Sequence, residues 1–98
     1  MPIRHTVVFR LVHEAGSPAS DAFFADARAA LTSIPGVEGF EIAEQVSVKS
    51  DLTHQFAMTF ADQAAYDAYN VHPTHVGFVE GRWIPEVAEF QEYDFIVV

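Results

Sequence analysis

The chain has 98 residues, half of them hydrophobic and 13% aromatic, with five Lys and Arg against fourteen Asp and Glu for a formal net charge of −9. That length makes one domain near the lower end of single-core size, the acidic balance disfavours nucleic acid and anionic bilayers as partners, and a chain without cysteine has no disulfides, thiolate metal sites or cysteine nucleophile. No apolar run reaches the roughly 18 residues of a membrane span and no signal-peptide pattern opens the chain, so the default expectation is a soluble cytoplasmic protein.

Ile3 to Val12 reads as a strand, with His5, Val7, Phe9 and Leu11 on one face and Arg4, Thr6, Val8, Arg10 and Val12 on the other. After the turn at Glu14-Ala15-Gly16, Ser17 is a natural N-cap with Pro18 at the first helical position. A helix over Pro18–Ser33 follows, with Phe23, Phe24, Ala27, Leu31 and Ile34 on one stripe, and Pro35-Gly36 stops it. Alternation over Phe40–Val48 predicts a second strand, ended by Lys49-Ser50-Asp51, and His54–Ala61 a third. Asp62 can cap a second helix carrying Ala65, Tyr66 and Tyr69, bent at Pro73 and bounded by Gly81 and Pro85. Glu86–Val98 is a long last strand.

The order βαββαβ predicts a ferredoxin-like α+β fold: an antiparallel sheet with two helices on one face. The opposite face of so apolar a sheet needs cover, and pairing two sheets across a two-fold axis supplies it. The expectation is a homodimer through the sheet face and the C-terminal strand, with Phe90, Tyr93, Phe95 and Val97 as its contacts.

Chemistry concentrates in Tyr69-Asn70-Val71-His72-Pro73-Thr74-His75-Val76-Gly77-Phe78. Pro73 disfavours helix at His72 and suits the start of a new one, so the chain bends there and can turn Tyr69 and His75 toward one cavity. His75 reads either as a general base, since imidazole titrates near neutral pH, or as a helix histidine bonded to a buried carbonyl. His72, before the proline, reads as a cap. His5 and His54 lie on strands that are neighbours in this fold and could share the cavity or form a satisfied structural pair. Phe24, Phe56 and Phe78, with Val71 and Val76, are the expected pocket lining. His72 and His75 stand three apart across a proline with no carboxylate in the motif, which suits zinc poorly, and neither a nucleophile elbow nor a phosphate loop is present. No metal or cofactor is expected.

Arg4-His5-Thr6-Val7-Val8-Phe9-Arg10, Ile34-Pro35-Gly36-Val37 and the His-Pro-x-His-x-x-Phe stretch of the 69–78 segment resemble, in order and spacing over essentially the whole chain, the stress-responsive A/B barrel (Dabb) family. The resemblance implies a dimeric α+β barrel of ferredoxin-like subunits. One enzyme of that family, the plant cyclase that makes olivetolic acid, performs a cofactor-free intramolecular aldol condensation between sheet and helices. Its catalytic histidine corresponds to His75, its supporting tyrosine to Tyr69, and its two further functional histidines to His5 and His54. Ala27 and Phe56 stand where that cyclase carries a larger and a smaller residue, which implies a differently shaped cavity. Some relatives hold a cation on backbone carbonyls that would map to Leu31, Ile34 and Val37.

The leading expectation is thus a cofactor-independent small-molecule enzyme or binder of polyketide-cyclase type, taking an apolar or aromatic carbonyl compound. A non-catalytic stress or structural dimer is the alternative, which a filled pocket would favour. A monooxygenase-like dimeric barrel is a third, resting on shared architecture alone.

Overall fold

A computed structural model describes the whole chain, Met1 to Val98. Four strands, β1 (Ile3–Leu11), β2 (Glu38–Glu44), β3 (His54–Phe60) and β4 (Val87–Phe95), form one antiparallel sheet in the order β2-β3-β1-β4. Helix α1 (Pro18–Leu31) joins β1 to β2, and α2 (Gln63–Val71), α3 (Pro73–Phe78), a π-helical turn (Val79–Trp83) and α4 (Ile84–Glu86) join β3 to β4. This is the ferredoxin-like arrangement, with the helices on one face of the sheet.

The faces of β1 divide as its alternation dictates. Ile3, His5, Val7, Phe9 and Leu11 are buried beneath the helices, while Arg4, Val8 and Arg10 are half-buried on the open side. The core continues through Phe56, Met58 and Phe60 of β3, Phe23, Ala27 and Leu31 of α1, and Tyr66, Tyr69 and Phe78 of the second helical region. Rings interlock through it: Phe9 meets Phe56 edge-on at 4.7 Å, and Phe60 stacks on Tyr66 at 5.0 Å. The caps work as expected. Ser17 Oγ accepts the amide of Ser20 at 3.2 Å, and Asp62 Oδ1 accepts that of Ala65 at 2.9 Å.

Several boundaries differ from expectation, each for a local reason. Helix α1 ends at Leu31 rather than Ser33, because the hydroxyls of Thr32 and Ser33 donate back to the carbonyls of Arg28 and Ala30. Strand β2 starts at Glu38 and stops at Glu44, not Val48. Beyond it the Gln45 side chain binds the Leu52 carbonyl at 2.6 Å and accepts the Ser47 amide, so the loop folds on itself and Val46 and Val48 are left in solvent. Strand β4 ends at Phe95 because Arg4, near the start of β1, is its last partner. Gly81 and Pro85 do not bound the second helical region. The chain continues through Gly81 in a wide turn, where the amide of Ile84 reaches back to the carbonyl of Val79, and Pro85 falls in the first turn of α4, where its missing N–H costs little.

Candidate functional site

The Pro73 bend sets up the site. His72 is extended, ends α2, and caps α3 by accepting the Thr74 amide on Nδ1 at 3.1 Å. The next helix then brings His75 back over α2. Its Nδ1 lies 3.1 Å from the carbonyl of Asn70, and a carbonyl can only accept, so Nδ1 carries the hydrogen and the Nε2 lone pair is free. The His75 ring sits 4.2 Å from that of Tyr69. His75 is thus anchored to a backbone carbonyl through Nδ1, with no hydrogen-bond partner in the chain at Nε2. Burial lowers its pKa more than the Asn70 carbonyl raises it, so the ring is neutral at physiological pH. Tyr69 is 3% exposed, and burial, first, then the neighbouring Tyr66 and Glu92 push its phenol well above the usual range. It stays protonated and can only donate or accept a hydrogen bond.

Both groups line a cavity of about 390 Å³ between the sheet and the second helical region. Its floor is His5 and Val7 of β1 with Phe56 and Met58 of β3; Leu31, Phe78 and Trp83 form its walls, and Phe90 and Glu92 of β4 its open side. His5 enters through a network that sequence reasoning missed. Strand pairing sets Asp94 directly opposite His5, and His5 Nδ1 lies 2.6 Å from Asp94 Oδ1. The Tyr66 hydroxyl donates to the same carboxylate at 3.0–3.1 Å and its oxygen stands 2.9 Å from His5 Nδ1. Asp94 thereby fixes the His5 tautomer with Nδ1–H inward and Nε2 free, as a carboxylate does for a working imidazole. The Tyr66 phenol, raised by burial and by Asp94, keeps its proton. Tyr69 stands between the two imidazoles, its ring 6.2 Å from His5. A signal for Asp94 existed: Phe90, Glu92 and Asp94 share the parity that faces the helices, and acids on an inward strand face need an explanation.

His54 is not brought to this cavity. Strands β1 and β3 are neighbours but antiparallel, with His5 opposite Met58 and His54 opposite Phe9, four residues or about 13 Å apart along the sheet. His54 packs tilted against Phe24 with ring centres 4.5 Å apart, binds the Thr53 hydroxyl, and faces a separate hollow with Arg10, His13 and Ser20. Burial lowers its pKa, against a smaller opposing pull from Glu44. Of the expected lining, Phe56 and Phe78 are present, whereas Phe24 leans toward His54 and Val71 and Val76 point to solvent. Phe90, expected at a dimer contact, has the opposite parity to Tyr93 and Phe95 and packs edge-on against Trp83 at 5.6 Å on the helix side. No group of three or more imidazoles and carboxylates is spaced to hold a metal ion. At the turn where the resemblance implies a cation, the Leu31 and Ile34 carbonyls accept the amides of Ile34 and Val37, leaving each one lone pair; these residues supply only weak, neutral ligands. No helix is long and apolar enough to cross a membrane.

A four-stranded antiparallel sheet covered on one side by helices, with an imidazole- and phenol-bearing cavity between the layers, defines a ferredoxin-like α+β domain. The chain belongs to the Stress responsive A/B Barrel Domain (Dabb) family, whose profile matches residues 3–97. A Dabb family protein with a ferredoxin-like fold from Mesorhizobium loti is 49% identical, with a TM-score of 0.98 over 99% of this chain and 97% of that one. The fold is also similar to a hydroxynitrile lyase from Passiflora edulis (18% identity, TM-score 0.85, 99% and 94% covered). A dimeric ferredoxin-like protein of unknown function from Thermobifida fusca is 17% identical, with a TM-score of 0.80 over 99% and 92%. No curated protein matches the chain.

Proposed function

We propose that the protein is a cofactor-independent binder of small apolar or aromatic carbonyl compounds that moves a proton on them, in the manner of a polyketide cyclase. His75 Nε2 takes a proton from the carbon beside the carbonyl. The C–H electrons move onto the carbonyl oxygen as an enolate, and the protonated Tyr69 hydroxyl donates a hydrogen bond to that oxygen. His5, held by Asp94, is a second imidazole able to return or relay the proton, whereas His54 has no part in this step. One observation carries the reading: a neutral imidazole with a free Nε2 lies against a phenol that keeps its proton, over a cavity whose other walls are mostly apolar. The open volume supports ligand binding over a purely structural role. That a protein of this fold is a hydroxynitrile lyase is consistent with an enzyme and does not fix the reaction.

We place the working form as a homodimer through the open sheet face, where Tyr93 and Phe95 are half-exposed and to which several proteins of similar fold, described as dimeric, lend support. The experiment is a screen of aryl ketones and short polyketide mimics for binding and for deuterium exchange at the carbon beside the carbonyl. His75→Ala should slow exchange at least about a hundredfold and Tyr69→Phe roughly a hundredfold, both keeping the native circular dichroism spectrum. Exchange that is unchanged in both variants would show that these residues are not the machinery.

A further inference from the structure

The cavity has one formal charge on its lining that no reading so far uses. Glu92 of β4 stands opposite Val7, on the helix side, and lines the cavity mouth. None of the chain's ion pairs involves it. None of the chain's arginines pairs with it, and the titratable bases that share its cavity are His5 and His75. Arg4, Arg10 and Arg82 are paired with Glu41, with Asp51 and Glu89, and with Asp26 and Glu86. Arg28 lies over the Phe40 ring, and no Lys or Arg lines the cavity. Glu92 is solvent-exposed at the mouth, so it stays hydrated while the cavity is open and its charge costs little there. Two aromatic rings flank the same opening: Phe90, two residues before Glu92 on the same strand face, and Trp83, packed edge-on against it at 5.6 Å.

A carboxylate beside exposed aromatic surface is the chemistry that recognises an organic cation, the carboxylate by charge and the ring faces by their negative quadrupole. The same acid repels carboxylate and phosphate groups, and the molecule's net charge of −9 acts in the same direction. We infer that the mouth formed by Glu92, Trp83 and Phe90 is a cation subsite, so that the preferred ligand is an apolar carbonyl compound bearing an ammonium group at the end remote from the carbonyl. The inference rests on the proposed use of the cavity. It names the class of compound: cationic or neutral carbonyl compounds are accepted, and free acids are rejected.

The test uses three probes of one shape: 4-(aminomethyl)acetophenone, 4-(hydroxymethyl)acetophenone and 4-acetylbenzoate, titrated by calorimetry or amide chemical shifts. The wild type should bind the cation about five- to tenfold more tightly than the neutral probe and the anion least, with the preference shrinking in 0.5 M salt as about 4 Å of screening length replaces about 8 Å. Glu92→Gln should level cation and neutral probe, and Glu92→Lys should reverse the order of cation and anion. His75→Ala should weaken all three while leaving their ratio intact. Equal binding of the three probes that still depends on His75 would overturn the cation subsite and leave the proposed function standing. A cation preference whose absolute affinities are unchanged in His75→Ala and Tyr69→Phe would do the reverse, and failure of every probe to bind at millimolar concentration would count against both.

Discussion

At the scale of single residues, the site is a matter of which ring nitrogens are occupied. Asn70 and Asp94 hold the Nδ1 atoms of His75 and His5, and neither Nε2 has a hydrogen-bond partner within the chain. Asp94→Asn removes the charge that selects the His5 tautomer. Nitrogen chemical shifts of His5 should change from one tautomer to a mixture, and stability should fall by about 1 kcal/mol, the figure for a charged hydrogen bond at a partly exposed site. A single unchanged tautomer would mean Asp94 does not position the ring. His75 also makes a pH prediction. Burial holds its folded-state pKa below the unfolded value, so above about pH 6.5 both states are neutral and nothing is gained or lost. As the pH falls below that value, the unfolded chain takes a proton that the folded protein refuses, and stability declines until the folded pKa is passed. His54, lowered for the same reason, adds in the same direction. Urea unfolding from pH 7.5 to 5 should show a shallower loss in His75→Gln and a shallower one still in the His54→Gln/His75→Gln double variant.

At the scale of elements, a six-residue helix places the His75 imidazole. Helix α3 is too short to be stable by itself, and its start is fixed by Pro73 and by the His72 side chain on the Thr74 amide. His72→Ala should cost about 1 kcal/mol, like the loss of an ordinary N-cap, and should also weaken probe binding, although His72 does not line the cavity. His72→Asn, which can cap in the same way, should restore both. Ser17→Ala, which uncaps α1 (Ser17 Oγ to Ser20 amide), should cost a similar amount in thermal unfolding and leave binding nearly unchanged. The contrast separates a helix end that sets the site from one that only supports the fold. The bend at Pro73, the cap at His72 and the approach of His75 to Tyr69 were legible because proline acts on its immediate neighbours. The short β2 was not, because the alternation through Val48 was real but a folded-back Gln45 side chain took the backbone partners that a longer strand would use.

At the scale of the molecule, β4 decides two things at once. Its helix-side residues Phe90 and Glu92 line the cavity while Asp94 holds His5, and its other side sets Tyr93 and Phe95 stacked at 6.1 Å on the open sheet face, beside Thr6 and the buried Ala57. A homodimer through that face predicts a native mass of twice 10.9 kDa. The double change Tyr93→Glu/Phe95→Glu should convert it to a monomer by light scattering at micromolar concentration, since it sets four like charges against one another across the two-fold axis. A wild-type monomer under the same conditions would remove the dimer proposal without touching the cavity.

Local chemistry, then, was enough for the sequence to determine the order of elements, their inward faces, the helix caps and the Tyr69–His75 pair, because helical and strand periods and the proline act over a few residues. Strand register belonged to the tertiary structure. It put Asp94 against His5 and Glu92 at the mouth of the cavity, and it carried His54 to the far end of the sheet. The physical reason is that antiparallel pairing joins residues dozens of positions apart, and shifting it by two residues would keep every inward face inward while giving each imidazole a different partner.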